Sequence, residues 1–153
     1  MKIRIEAEEA ISEPEIVIRC KELNEKVLDI QKEISDVVNS YEKMVLYKND
    51  VEFYISVNEI LFYKTDGNVI AAHTKDKVYH TKMRLYELED MLPSYFMRIS
   101  KSAVCNINKI YALDKSITSV CTVQFYDTSK QVYVSRHYYK ALRDRIEEKR
   151  RHL

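Results

Sequence analysis

Two basic side chains and two hydroxyls stand directly before a short apolar run late in the chain. They are Arg98, Ser100, Lys101 and Ser102, and the apolar run covers residues 103–105. Lysine and arginine donate hydrogen bonds to anions and base edges, and hydroxyls hold phosphate oxygens. The spacing therefore indicates either a hydrogen-bonded turn at the mouth of a buried strand or a loop that grips an anionic partner.

The distribution of charge also points to an anionic partner. The net charge is only +1, but residues 97–153 carry 12 basic and 5 acidic side chains, whereas residues 1–50 carry 8 and 12. A basic last third on an otherwise acidic chain favours a nucleic-acid partner. A basic face that binds an acidic protein is the alternative function, and a basic helical tail at residues 149–151 explains part of the excess.

Composition argues against most enzyme classes. The single glycine, Gly67, excludes a glycine-rich phosphate loop. Ser135 and His137 lie close together but lack the further residues of a nucleophile–base site, and no paired carboxylates occur in a hydrolase setting. Cysteines and histidines show no metal-ligand spacing, and the three cysteines are expected to be small core residues. We therefore expect no enzymatic activity, metal, cofactor or small-molecule substrate.

The N-terminal third predicts two short strands and a helix. Residues 2–8 and 15–20 have strand-like patterns, and residues 21–43 show apolar positions at alternating spacings of four and three. Such a stripe favours either a helix packed on its own sheet or a self-association seam between two helices. The seam is formed by Leu23, Val27, Ile30, Ile34, Val37 and Tyr41, followed by Met44.

After residues 49–50 the pattern changes to short strands with period two. Strands are expected over residues 51–57, 59–66, 68–74 and 77–81, then near 103–105, 109–113, 118–126 and 131–135. Helices are expected over residues 82–92, capped by Thr81, and over residues 136–149, capped by Ser135. These patterns divide the chain into an extension, residues 1–48, and a mostly β domain, residues 49–150. No apolar run is long enough to span a membrane, so a cytoplasmic protein is expected.

Three motifs together resemble the LytTR family of bacterial DNA-binding domains. They are EILFYKTDGNVIAAHT, LYELEDMLPSYFMRISKSAVCNINKI and VYVSRHYYKAL, in the order and at the separations that the family shows. The resemblance implies a mainly β fold with short helices, in which elongated antiparallel sheets follow a small β-β-α extension. It further implies a sequence-specific transcription regulator that reads double-stranded DNA with loops in the major groove.

The resemblance also implies the contacting residues. Base contacts fall to Asn68, Lys101, and Arg136 or His137, with the last choice open by one position. Contacts to the DNA backbone fall to Ser100, Ser102 and Ser135, with Arg98 as a weaker candidate that a structural clamp would also explain. Asn68 also has an alternative role: it could simply serve the turn, because asparagine is a favoured turn residue.

Partners follow from the same resemblance. Double-stranded DNA is the expected ligand, a homodimer the expected assembly, and a small membrane protein a possible restraining partner. The segment before the domain is too short for the receiver domain that response regulators of this family carry. Control by phosphorylation is therefore not expected.

Overall fold

The computed structural model describes residues 4–9, 15–40, 42–115 and 120–151, and antiparallel strands dominate them. The helices are α1 (Glu25–Ser40), α2 (Leu85–Met91) and α3 (Arg136–Arg151). The strands are β1 (Lys43–Lys48), β2 (Val51–Ser56), β3 (Ile60–Asp66), β4 (Val69–Thr74), β5 (Val78–Thr81), β6 (Phe96–Ser100), β7 (Ala103–Asn106), β8 (Ile110–Lys115), β9 (Cys121–Phe125) and β10 (Gln131–Val134). This architecture confirms the predicted fold class, a mainly β protein with short helices.

The strands form two antiparallel sheets. The larger has seven strands in the order β2-β1-β5-β4-β3-β7-β6, and the smaller has three in the order β10-β9-β8. Tight turns join most neighbours. At residues 49–50 and at Gly67 the backbone has positive φ, which suits the two-residue turns of hairpins. The predicted division of the chain at residue 48 falls at the first of these hairpins, so β1 pairs directly with the domain's sheet.

The two faces of the seven-stranded sheet contact different layers, because successive side chains of a strand alternate between faces. Phe62 belongs to the core shared with the small sheet and α3, and its ring stacks on Phe125 of β9 at 5.3 Å between centroids. Its neighbour Tyr63 belongs to the core under α2, and its hydroxyl donates to Sδ of Met44 at 2.9 Å. Strand β3 is therefore packed on both faces, which fixes the position of its two ends.

The two strands predicted before the helix are wrong for the residues that the structure describes. Residues 4–8 and 15–20 have no strand, and Ile5, Ile16 and Val17 are exposed. An isolated pair of strands is marginal in water, and these apolar side chains have no surface to pack on. Cys20 is exposed for the same reason, so only Cys105 and Cys121 are the small core residues that the sequence predicts.

The predicted helix exists, but α1 ends at Ser40. Met44, assigned to its apolar stripe, is instead a buried residue of β1. Val27, Ile30 and Ile34 are half-buried, whereas Leu23 precedes the helix and, like Val37, is exposed. Tyr41, the last residue of the predicted seam, lies outside the described residues.

A polar contact joins helix α1 to its own domain. Asp36 accepts hydrogen bonds from the backbone N–H of Ser94, at 3.1 Å, and from the Ser94 hydroxyl.

Two predictions about the bounds of helices and strands are wrong. Thr81 ends β5 and does not cap a helix, because α2 begins at Leu85. Residues 96–100, which carried no strand prediction, form β6 at the edge of the large sheet.

Candidate nucleic-acid interface

Two turns that hold predicted contact residues lie side by side at one end of the seven-stranded sheet. Lys64 of β3 pairs with Ala103 of β7, and the N–H of Thr65 donates to the carbonyl of Ser102 at 2.9 Å. Beyond this last pair, β3 continues to the turn that contains Asn68, and β7 is preceded by Lys101. The side chains of Asn68 and Lys101 are exposed, and the hydrogen-bond register brings their turns together.

The β6–β7 turn is held by hydrogen bonds from its own residues. The hydroxyl of Ser100 accepts from the N–H of Ser102 at 3.1 Å and lies 3.3 Å from the Ser102 hydroxyl. Ser100 is buried, Ser102 is half-buried and Lys101 is exposed. The turn thus presents the lysine side chain while its two serines lie against the protein.

Arg98 clamps this turn from below. Its Nε donates to the carbonyl of Ser100 at 2.7 Å, and Nη2 donates to the carbonyl of Lys101 at 2.5 Å. Its Nη1 forms an ion pair with Oε2 of Glu89 at 2.6 Å. A rigid guanidinium fork that satisfies carbonyls and a carboxylate at once fixes their relative positions. This arrangement matches the structural clamp that the sequence analysis kept as the alternative for Arg98, and its predicted DNA contact stays a prediction.

The start of α3 lies next to the same turn. The N–H of Ser135 donates to the carbonyl of Ile99 at 2.9 Å, which ties the residue before the helix to the end of β6. The carbonyl of Ser135 accepts from the N–H groups of Tyr138 and Tyr139, both at 3.1 Å. Its Oγ is buried and has no hydrogen-bond partner within the described residues.

Arg136 and His137, the first residues of α3, are both exposed. The ring of His137 meets Tyr138 edge to face at 4.8 Å between centroids. Arginine in this position has a free path to a ligand, and the N-terminus of a helix attracts anions through its unpaired N–H groups. The geometry leaves open which of the two residues would read a base.

Lys101 is the residue that connects these places. It lines a first hollow together with Asn68 and a second hollow together with Ser135 and His137. The three predicted contact regions therefore form a row, with the turn of Lys101 in the middle. We call this row the sheet-end face; it comprises Asn68, Lys101, Ser102, Ser135, Arg136 and His137.

The sequence analysis missed two further basic residues at this face. Lys82 and Arg84 line the first hollow with Asn68 and Lys101. They follow β5 directly, and the signal that could have found them is the hairpin pairing of β4 with β5. That pairing returns the chain to the end of the sheet where Asn68 lies.

Burial shifts the pKa of two groups in and beside the core, Cys105 and His73. Burial raises the pKa of the Cys105 thiol, which makes it a weak nucleophile. Burial, and then the charges of Lys130 and Lys64, lower the pKa of His73 to about 4. Its ring is half-buried and stacks on Phe62 at 4.2 Å between centroids. Within the described part of the chain, no three His, Cys, Asp or Glu side chains converge as metal ligands.

Hydrogen bonds from Lys130 join the two sheets at the end opposite Lys101. Nζ of Lys130 donates to the carbonyls of Thr74 and Lys77, at 2.6 and 2.7 Å, and burial lowers its pKa. The hydroxyl of Thr128 also donates to the carbonyl of Lys75, at 3.0 Å. These contacts hold the β9–β10 turn of the small sheet against the β4–β5 loop, so the two sheets are fixed at the end remote from Lys101.

Among the described helices, none has the length and apolar character needed to cross a membrane.

The fold and this face define a protein of antiparallel sheets that presents turns and the start of one helix as a basic, polar end. Residues 50–147 match the family model of the LytTr DNA-binding domain, so the chain belongs to that family. Relatives span nearly its whole length. An uncharacterised HTH-type transcriptional regulator of Staphylococcus aureus (strain NCTC 8325 / PS 47) is 28% identical over 147 residues, which cover 95% of this chain and 98% of the relative. Its counterpart in the bovine strain RF122 / ET3-1 is 27% identical over 148 residues, with the same coverage.

A solved structure confirms the fold. A LytTr DNA-binding domain from Bacillus cereus superposes with a TM-score of 0.62 at 20% identity, covering 67% of this chain and 94% of that one. The relatives' label "HTH-type" has no counterpart in the described residues here, because five strands separate α1 from α2 and another five separate α2 from α3. A helix–turn–helix needs two helices joined by a short turn.

Proposed function

We propose that this protein regulates transcription by binding specific sequences of double-stranded DNA with the side chains of its sheet-end face. The observation that carries the proposal is the row of Asn68, Lys101 and the start of α3 on neighbouring turns of a LytTr fold. The naming of the full-length relatives as transcriptional regulators supports the regulatory role. The major groove, about 12 Å wide, admits such turns.

Lys101 is the central base reader in this proposal. It is exposed on a turn that Arg98 clamps at two carbonyls, so the lysine stem starts from a fixed backbone. Lysine donates to O6 and N7 of guanine in the major groove. Asn68, on the neighbouring turn, is suited to adenine, and Arg136 or His137 would read bases on the other side of Lys101.

Hydroxyl and backbone groups would hold the phosphates on either side. Ser102 lies on the turn itself, and Ser135 lies at the start of a 16-residue helix, beside the second hollow. Such contacts set the register of the protein on DNA without reading sequence. Ser100, Ser135 and Arg98 are the weaker members of the predicted set. Ser100 is 5% exposed, and Ser135 has a buried Oγ and an N–H that already donates to a carbonyl. The guanidinium of Arg98 already serves three acceptors.

The assembly that we propose is a homodimer formed through the apolar stripe of α1. Val37 is 54% exposed and Leu23 is 73% exposed, so the stripe offers surface to a second copy. In this account residues 1–48 serve dimerisation or regulation and residues 49–150 bind DNA, in the cytoplasm of a bacterial cell. No catalytic reaction is assigned. A small membrane-protein partner is part of the same proposal, by likeness to stand-alone regulators.

The test is a competition between duplexes selected from a random library and unselected duplexes, with wild-type protein and the variants Lys101→Ala and Arg136→Ala. Removing a base-reading side chain is expected to cost about 1–3 kcal/mol of specific affinity in each variant. Lys75→Ala, at the opposite end of the sheet, is the matched control and should bind as the wild type does. Unchanged specific binding in both test variants contradicts the assignment of the face.

An acidic protein is the competing partner, favoured only by the basic last third of the chain. Salt dependence alone does not separate the two ligands, because both are anionic. Enrichment of one duplex sequence from the library separates them, since a face built for an acidic protein has no reason to prefer one base sequence.

A further inference from the structure

We propose that Lys82 and Arg84 extend the DNA interface as phosphate contacts beyond Asn68, an inference that rests on the proposed DNA-binding function. They belong to the connection between β5 and α2. They line the first hollow, across from Asn68 and Lys101, where Lys82 is exposed.

Position follows from the register of the sheet. Thr81 of β5 pairs with Ile70 of β4, and Val69 pairs with Asp66, so Lys82 comes opposite the residue that follows Asn68. The order β5-β4-β3-β7-β6 then places the backbone of Lys82 at one side and the backbone of Lys101 at the other, four strand spacings apart at most. At about 4.8 Å per spacing this is about 19 Å. A single stretch of duplex shorter than one helical turn, about 34 Å, spans both.

Charge favours an anion at this place. Neither Lys82 nor Arg84 forms an ion pair within the described residues, in contrast to Arg98. Of the carboxylates nearby, Glu89 pairs with Arg98, and Asp66 lies 3.7 Å from Nε2 of His80, a contact that is an ion pair only when the imidazole is protonated. Glu87 accepts from the backbone N–H of Arg84 at 2.7 Å. The side chains of Lys82 and Arg84 therefore stand at the rim of the hollow without an ion-pair partner among the described residues.

Restraint adds to the case for Lys82. Its Nζ lies 4.4 Å from the centre of the Tyr47 ring, a cation–π contact that holds the ammonium group over β1. The hydrogen bond from Arg84 to Glu87 fixes the backbone at the start of α2 in the same way. Groups that are already positioned lose less freedom when they bind, so they contribute more to affinity than mobile surface lysines do.

A phosphate contact and a base contact have different signatures. A phosphate contact strengthens binding to every sequence alike and releases counterions, so each one steepens the fall of log K with log salt by about 0.9 on B-DNA. Base contacts change the preference for one sequence over another. Lys82 and Arg84 should therefore differ from Lys101 in kind.

The experiment measures binding of Lys82→Gln and Arg84→Gln to a selected duplex and to a random duplex of equal length, from 50 to 200 mM salt. Each variant should show the same factor of weaker affinity on both duplexes. Its deficit relative to wild type should shrink about 3-fold over that salt range, as the removal of one phosphate contact requires. Lys75→Gln removes the same charge at the other end of β5, about 20 Å away along β4, and should leave the salt slope unchanged.

Wild-type salt slopes in both variants, or an equal deficit in Lys75→Gln, would overturn the inference. Chemical acetylation of the wild-type protein gives a second measurement that needs no variant: bound DNA should protect Lys82 and should not protect Lys75. The outcome is separable from that of the proposed function. A wild-type protein that shows no sequence preference refutes the base-reading role. A clear sequence preference, together with wild-type affinity and salt slope in the Lys82 and Arg84 variants, refutes only this extension.

Discussion

The chain contains two regions with equally regular apolar patterns, and only one of them buries its pattern. From β1 to α3, strands pair with neighbours, and residues such as Ile99, Val104 and Leu142 are fully buried. In residues 4–9 and 15–38 no side chain is buried, although the stripe of α1 is as well spaced as any in the protein. An apolar period shows that a segment is able to bury one face. Burial also requires a second surface that packs against that face.

The difference has a functional side. The turn of Lys101 is held in place because β6 and β7 beneath it are paired and packed, and Arg98 ties its carbonyls. Helix α1 is tethered to the domain at Asp36, and the apolar stripe that runs from Leu23 into the helix leaves Leu23 and Val37 exposed. A rigid turn suits reading a fixed partner such as DNA, whereas an exposed stripe suits an interface that forms with a second chain.

The largest expected effect contrasts the two regions directly. Ile99→Ala should destabilise the protein by about 2–5 kcal/mol, because it opens a cavity in a packed core. Leu23→Ala also removes apolar atoms, but at 73% exposure it should change the free energy of unfolding by no more than about 0.5 kcal/mol. Urea denaturation of both variants gives the two numbers, and comparable losses would show that the N-terminal stripe is buried in solution.

Arg98→Ala should cost about 1–3 kcal/mol of stability, since it leaves two carbonyls and Glu89 without their donor. It should also reduce the preference for selected DNA, because the turn of Lys101 loses its clamp. Denaturation and duplex competition measure the two effects. Arg145→Ala breaks a surface ion pair with Glu148 and is the control, with an expected loss of less than about 1 kcal/mol. Full stability and full preference in Arg98→Ala would refute the clamp.

Acid should lower the free energy of unfolding through protonation of His73. Its pKa is about 4 in the folded protein, against 6.5 without burial, so the unfolded chain binds the proton more readily. Above pH 6.5 His73 is neutral in the folded and the unfolded state and costs no stability. Below pH 6.5 the unfolded chain takes up the proton first, so the free energy of unfolding falls as the pH drops towards 4. The loss at pH 5.5 should be below about 1.4 kcal/mol, because the ring is partly solvated. His73→Phe keeps the stack on Phe62 and should reduce this dependence in melting curves; an unaltered dependence would assign it to other groups.

The smallest effect on stability should come from α1, although its effect on assembly should be clear. Ile30→Asp or Ile34→Asp places a charge in the stripe and should lower the molar mass seen by light scattering at a given concentration. Gln31→Asp introduces the same charge on an exposed position of the helix and should leave the mass unchanged. A constant monomer mass for the wild type would rule out the seam. A lower melting temperature with no change in mass would show instead that the stripe packs on its own domain.

Most of the sheet could be predicted from the sequence because its strands are local hairpins. The predicted strand at residues 59–66 became β3 over Ile60–Asp66, where a short apolar run leads into a glycine turn. Strand β1 was missed because Met44 continues the helical stripe and also begins the alternation of the strand. Residues 15–20 show the opposite error, since a strand pattern without a neighbouring strand has nothing to pair with.

The candidate site was predictable as residue types but not as an arrangement. Lys101 and Ser102 were singled out through the resemblance to the LytTR family, and their contacts to DNA stay a prediction. The clamp of Arg98 on two carbonyls depends on the backbone path of the turn, and the placement of Lys82 depends on which strand neighbours β4. Both are consequences of strand register, which a sequence constrains only once the pairing partners are known.

The most direct test of the account is to compare the base preferences of wild-type protein and Lys101→Ala, position by position, by selection from a randomised duplex library. The account predicts that Lys101→Ala loses discrimination at one or two adjacent base pairs, by about 1–3 kcal/mol, while the remaining positions keep their preferences. An unchanged pattern of preferences, or a uniform loss at all positions, would contradict the claim that the turn of Lys101 reads base edges.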